Sequence, residues 1–317
     1  MTKTAIRSDV QTFLDLWNAS PLARMEDLPV GQVRALIGRA RAAAPPVTHD
    51  LAIVRDFAAD VSGRSLGMRF YDARAERSPG PLVIYYHGGG FVLGDLESHH
   101  ALCVALAEQL DLPVVAVDYR LAPESPWPAA PDDAEAAARW LAAHGRDALG
   151  REIAALVLAG DSAGANLAAV VAHRLRDRPA TIPVAAQFLS YPCVDSAGGT
   201  RSRKEFADGL YLTGACIDWF YNQYAAPAGD PRFDLLRFDQ AGMPPTVLVT
   251  AGLDPLRDEG RAYAGALIAA GVPVTYQEVS GNIHGCFSMV AEIPSTAEDI
   301  RRATAALRAT IAATSLF

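Results

Sequence analysis

The spacing of hydrophobic residues changes once along the chain, near residue 45. Before that point it is helical. Val10, Phe13, Leu14 and Trp17 fall at i, i+3, i+4 and i+7, and Val33, Leu36, Ile37 and Ala40 repeat the pattern. Two amphipathic helices are predicted there. Ala44-Pro45-Pro46 ends them, because proline disfavours helix at and before its own position. Beyond it, short apolar runs predict strands at Ile53–Ala58, Leu66–Tyr71, Leu82–Tyr86, Val114–Tyr119, Ala155–Ala159, Val184–Ser190, Thr246–Ala251 and Val274–Val279. The last six are mostly continuous rather than alternating, as in strands covered on both faces. Helical segments separate them at Ala101–Leu110, Asp132–Ala143, Asn166–Arg178 and Gly260–Ala270. A last helix opens at Ser295, with Glu298 at the spacing of a capping box and Ile300, Leu307 and Ile311 facing inward. Alternating strand and helix predicts an α/β fold, a mostly parallel eight-stranded sheet with helices on both faces.

One connection is too long for that pattern. More than fifty residues separate Ser190 from Thr246, and they carry an aromatic helix with Trp219, Phe220, Tyr221 and Tyr224. Long ordered connections are commonly lids. The predicted organisation is therefore a helical cap from residues 1–50 and an insertion at 195–230. The sheet is built from 51–194 and 231–317.

Charge and composition narrow the function. Lys and Arg number 28 against 36 Asp and Glu, a net charge of −8, which offers no basic face to a nucleic acid. Half the 317 residues are hydrophobic, enough for a large core. Cys103, Cys193, Cys216 and Cys286 form no C-x-x-C, so neither a disulfide framework nor a zinc site is expected, and a reduced cytoplasmic chain fits. Met1 to Asp15 has no signal-peptide core, and the longest uncharged stretch, Ala262–Gln277, is broken by Gly265, Gly271 and Pro273. No membrane insertion is expected.

The chemistry lies at strand ends. Gly160-Asp161-Ser162-Ala163-Gly164 follows one predicted strand and precedes a helix, which is the setting of a G-x-S-x-G nucleophile turn. Serine needs a base, and in this order of elements an acid comes next and a histidine last. Asp254 follows the strand at Thr246 and His284 follows the strand at Val274, both at carboxyl ends where open α/β sheets build their sites. Ser162 is the expected nucleophile, His284 the proton shuttle, and Asp254 the residue that orients and stabilises the imidazole. Asp258 is the alternative acid, though its place suits the first turn of a helix. His87-Gly88-Gly89-Gly90-Phe91 follows the strand at Leu82. The amides of Gly88 and Gly89, with that of Ala163, are expected to receive an oxyanion, each donor worth ~3–4 kcal/mol of barrier. No Gly-Lys-Ser/Thr and no G-x-G-x-x-G follows, which disfavours nucleotide binding.

These motifs resemble the hormone-sensitive lipase family of α/β-hydrolases, in particular its bacterial esterases with a GDSAG nucleophile. The match runs in order through His87–Phe91, Asp118-Tyr119-Arg120-Leu121-Ala122-Pro123-Glu124, Gly160–Gly164, Asp254-Pro255-Leu256-Arg257-Asp258 and His284-Gly285. It covers the chain from about residue 50, and the N-terminal helices are similar to the family's cap. The resemblance implies an α/β-hydrolase fold, carboxylic-ester hydrolysis without cofactor, and frequent homodimers. Three positions depart from the family pattern. His100 stands where Asp is usual, Ser125-Pro126-Trp127-Pro128 replaces His-Pro-Phe-Pro, and Cys286 precedes Phe287 where His-Gly-Phe is usual.

Several residues carry two readings. His99 and His100 are expected at a helix N-terminus beneath the oxyanion loop rather than on a metal, since adjacent residues point apart. Arg120 and Glu124 read as a structural salt link rather than substrate ligands. Cys286 reads as a buried filler rather than a redox thiol. The aromatic helix either lines an acyl pocket or packs the cap on the body. Phe91, Tyr191 and Leu212 are candidate pocket walls. The leading function is a serine esterase acting on small, short-chain esters. An amidase or formamidase would use the same groups, and a non-catalytic receptor on this scaffold would be expected to have lost one of them.

Overall fold

The buried runs of Val, Leu, Ile and Ala pair into one eight-stranded sheet in the order β1-β2-β4-β3-β5-β6-β7-β8. The structure, a computed structural model, describes residues 5–20, 24–61 and 63–314. The strands are β1 Ile53–Val61, β2 Arg64–Asp72, β3 Gly80–Tyr86, β4 Val114–Asp118, β5 Ile153–Asp161, β6 Val184–Ser190, β7 Thr246–Leu253 and β8 Val274–Ile283. β2 runs antiparallel to both its neighbours, and from β4 to β8 every pairing is parallel. The helices are α1 Ser8–Asn18, α2 Val30–Ala43, α3 His100–Leu110, α4 Ala129–Leu149, α5 Ala163–Asp177, α6 Arg201–Glu205, α7 Gly214–Tyr224, α8 Arg257–Ala269 and α9 Thr296–Ala312.

Pleating divides the core between the two faces. In β3, Leu82, Ile84 and Tyr86 join the cluster formed with α4, α5 and α8, whereas Val83 and Tyr85 join the cluster under α3 and α9. β5 behaves alike, with Leu156 and Leu158 on one side and Val157 and Ala159 on the other. α5 is buried almost throughout, from Ala163 to His173. Small residues at Ala165, Ala168, Ala169 and Ala172 let it lie close to the sheet.

Several boundaries differ from the sequence reading. β8 continues past Val279 to Ile283, although Ser280, Gly281 and Asn282 interrupt the apolar run. The irregular pairing of Leu253 with Ile283 carries the strand to the site, and Gly281, at φ +73°, accepts the Arg7 amide on its carbonyl. α4 begins at Ala129, with Pro131 in its first turn, where a missing N–H costs nothing. The capping box expected at Ser295 does not form. Asp9 accepts from both the amide and the hydroxyl of Ser295, at 2.8 and 3.1 Å, and Glu298 pairs with Arg301 and Arg302 instead.

The N-terminal helices and the long connection both sit over the carboxyl ends of the strands. Val10 and Leu14 of α1 pack with Phe206, Leu253 and Ile283. Arg34 of α2 donates to the carbonyls of Val92 and Ala122, in the loops after β3 and β4. Ser202 of α6 donates to the Pro255 carbonyl at 2.7 Å.

His173 of α5 is fully buried, its ring stacked on Phe238 at 3.9 Å and its Nδ1 without a partner among the described residues. Burial, aided by Arg176, lowers its imidazole to about 3. Between the ordinary value of ~6.5 and that lowered value, the unfolded chain binds a proton that the folded chain does not, so stability falls as pH falls through the window. His173→Phe should flatten this limb. Its melting temperature should drop less than that of the wild type between about pH 7 and pH 4.5, and parallel curves would contradict the assignment.

Candidate active site

At the end of β5 the chain reverses into α5 within one residue. Ser162 holds φ +53° and ψ −119°, a conformation that costs a non-glycine residue about 1–3 kcal/mol. Its neighbours allow the turn only as glycines. A Cβ on Gly164 would overlap the Tyr86 carbonyl, and one on Gly160 would overlap the backbone of Gly164. The Ser162 amide donates to the Ser190 carbonyl at 2.8 Å, tying the turn to the end of β6.

The residues that follow β7 and β8 meet this serine. His284 Nε2 lies 2.8 Å from Ser162 Oγ, and its Nδ1 lies 2.8 Å from Asp254 Oδ2. The other oxygen of Asp254 accepts the Leu256 amide at 2.8 Å, and the carboxylate is wholly buried. An acceptor at Nδ1 places the ring proton there and leaves Nε2 free to take one from Oγ. Asp258 lies apart from this relay. It sits in the first turn of α8, where it accepts the Ser202 amide at 3.0 Å and pairs with Arg257.

The glycine loop after β3 departs from the sequence reading at one residue. The Gly88 amide, expected to face an oxyanion, donates instead to Asp161 Oδ1 at 2.8 Å. The Gly89 and Gly90 amides meet no acceptor among the described residues. Both residues have positive φ, +115° and +61°. Ala163 is the first residue of α5, and its amide is one of the donors that a helix start leaves unpaired.

The loop is braced from beneath. His87 Nδ1 meets the Gly88 carbonyl at 2.8 Å, and the Tyr119 hydroxyl donates to the His87 carbonyl at 2.7 Å. Burial lowers the His87 imidazole to about 4, so the ring is neutral near pH 7. Asp161 also accepts from the Tyr85 hydroxyl at 2.6 Å, and His99 Nε2 lies 3.3 Å from the same oxygen. Burial alone would raise the Asp161 carboxyl, but His99 and the hydrogen bonds outweigh it and hold it below the ordinary carboxylate range.

The candidate pocket walls fall in different places. Tyr191 is buried with its ring edge-on to His284 at 5.0 Å. Leu212 is 8% exposed, within the apolar cluster of Cys216, Ile217 and Phe220. Phe91 is a core residue, stacked on Tyr224 at 3.9 Å and fully buried. Phe220 rests on Gly90, where a Cβ would overlap its ring, so part of the aromatic helix does pack on the body. Tyr211, stacked edge-on with Trp17 at 4.9 Å, lies beside Gly285 and was not marked by any pattern in the sequence. Arg120 and Glu124 each make an ion pair, but with Asp133 and Arg34 rather than with each other. His99 and His100 open α3, and no metal-binding cluster exists among the described residues. Cys286 is fully buried, and burial pushes its thiol well above the ordinary value, as the filler reading expects.

Known proteins share this fold. The sequence profile of the alpha/beta hydrolase fold matches residues 83–288. The chain belongs to the hormone-sensitive lipase family of α/β-hydrolases. It is 40% identical to an esterase, LipI, of Mycobacterium tuberculosis, over 83% of this chain and 83% of that protein. It is 36% identical to an ethyl acetate hydrolase of Pseudomonas putida, over 78% of this chain and 79% of that one. Among solved structures, an α/β-hydrolase enzyme from the Lake Arreo metagenome in Spain superposes with a TM-score of 0.90 at 37% identity, covering 97% of this chain and 99% of that one.

The turn makes a paired prediction. Gly164→Ala forces a methyl into the Tyr86 backbone and should cost about 3 kcal/mol or more in denaturant unfolding. Gly38→Ala, in α2 with nothing within 4 Å of the new methyl, should be neutral or stabilise by roughly 0.5–1 kcal/mol. Equal effects at the two sites would contradict the close approach described here.

Proposed function

We propose that the chain is a serine carboxylesterase that hydrolyses small, short-chain esters through an acyl-enzyme intermediate. The observation that carries this reading is the unbroken relay from Ser162 Oγ through His284 to Asp254, at 2.8 Å in each link. Ser162 Oγ attacks the acyl carbon while His284 Nε2 takes its proton. The carbonyl oxygen, now negative, is received by the amides of Gly89, Gly90 and Ala163. His284 then gives its proton to the leaving alkoxide as the acyl–oxygen bond breaks. Water repeats the sequence on the acyl-enzyme, and a carboxylic acid leaves. Asp254 keeps the Nδ1 proton in place and stabilises the imidazolium formed in each half.

The short-chain preference rests on what covers the serine. Residues 5–20, 24–50 and 195–230 serve as the cap, and they bring Leu212, Ile217 and Phe220, all nearly buried, over the strand ends. The similarity to an ethyl acetate hydrolase points the same way. Among the described residues no helix is long and apolar enough to cross a membrane, and all four cysteines are free and buried. Those thiols support work in the reducing cytoplasm.

The test is hydrolysis of p-nitrophenyl esters from acetyl to dodecanoyl by the wild type and by Ser162→Ala. Turnover should be highest for acetyl or butyryl esters. The substitution should remove at least about 10⁴-fold of kcat. Residual activity near the wild-type level in Ser162→Ala would overturn the mechanism. Faster turnover of dodecanoyl esters would overturn the chain-length assignment.

A further inference from the structure

Asp161 fills the variable place in the nucleophile motif, and the hydrolytic relay does not use it. Its carboxylate is 4% exposed and lies between the two loops of the site. One oxygen accepts the Gly88 amide at 2.8 Å and the Tyr85 hydroxyl at 2.6 Å, with His99 Nε2 at 3.3 Å. A Cβ on Gly88 would overlap the other oxygen, so the loop comes as near to this carboxylate as glycine permits.

We propose that Asp161 is the positioning residue of the oxyanion loop: it holds the Gly88 amide, and so turns the next two amides, Gly89 and Gly90, toward the oxygen of a substrate bound at Ser162. The inference rests on the reading of Ser162 as nucleophile. Three successive glycines have more conformations to lose than any other tripeptide, so a loop built from them is preorganised only by outside anchors. A carboxylate accepting from a backbone N–H is a stronger anchor than a neutral acceptor. Asp161 is also bonded covalently to Ser162. The nucleophile and the donors that must meet one carbonyl group are thus referenced to a single residue. Further anchors lie downstream, where the Val92 and Leu93 amides both return to the Gly89 carbonyl. The Tyr85 hydroxyl supplies a second donor that lets an ionised side chain stay buried beside a site where negative charge develops.

The test compares Asp161→Ala and Asp161→Asn with the wild type, using p-nitrophenyl butyrate kinetics and inhibition by a trifluoromethyl ketone, which forms a tetrahedral adduct on the serine. Asp161→Ala should lower kcat by about 10²-fold, with KM changed by less than about threefold. It should weaken the trifluoromethyl ketone by a similar factor. Asp161→Asn keeps an acceptor oxygen and should recover most of both losses. A folded Asp161→Ala with wild-type kcat, or one that loses only thermal stability, would overturn the proposal. So would an Asp161→Asn no better than Asp161→Ala. Should Asp161→Ala fail to fold, Tyr85→Phe loosens the carboxylate while keeping it, and unchanged kcat in that variant would count against the proposal. Failure here leaves the hydrolase reading intact as long as the wild type turns over esters and Ser162→Ala does not.

Discussion

The site depends on the close approach of two backbone segments. The turn from Gly160 to Gly164 lies against Tyr86 and His87 with no room for a methyl group between them. That approach keeps Ser162 in its unfavourable conformation and raises Oγ above the carboxyl ends of the strands. It also sets the glycine loop after β3 beside the nucleophile. A looser turn would let the serine relax by the few kcal/mol that its conformation stores, and both functions would be lost together.

The rest of the fold holds that geometry from several directions. The acid and the histidine follow directly on β7 and β8, and the irregular pairing of Leu253 with Ile283 brings both to the same level. Asp161 connects the turn to the glycine loop, and Tyr119 and His87 support the loop from below. Over the top, Phe220 lies on Gly90, and Ser202 is tied to the loop of the acid by its bonds with Pro255 and Asp258. Arg203 of the same short helix is paired with the buried Glu259 of α8 at 3.1 Å, and it also donates to the Tyr221 hydroxyl of α7 at 2.9 Å. The covering helices are thus joined by buried polar contacts to the loops that carry the chemistry, and substrate selection and reactivity share the same supports.

The sequence reading was strongest where local rules act. Continuous apolar runs placed the strands, and each predicted triad residue followed a run, so the chain order of Ser162, Asp254 and His284 was visible before any contact was known. It was weakest where distant residues decide. Which amide of the glycine run is free depends on the φ values of Gly89 and Gly90 and on a bond from Gly88 to a carboxylate far along the chain. The capping box at Ser295 is a sound local motif, but Asp9, from the other end of the chain, accepts the Ser295 amide that Glu298 would have received. β8 reads short in the sequence because Ser280-Gly281-Asn282 interrupts the apolar run, while pairing with β7 keeps it a strand. Tyr211 lies in no period or motif, and only the folded chain brings it to Gly285.

The central claim is that Ser162 is the one nucleophile, activated through His284. It is tested most directly by treating the protein with diethyl p-nitrophenyl phosphate and locating the adduct by peptide mass spectrometry. The account predicts stoichiometric release of p-nitrophenol, a single diethylphosphoryl group on Ser162, and loss of ester hydrolysis in step with labelling. Full hydrolytic activity with Ser162 unmodified, or inactivation through a different residue, would contradict it.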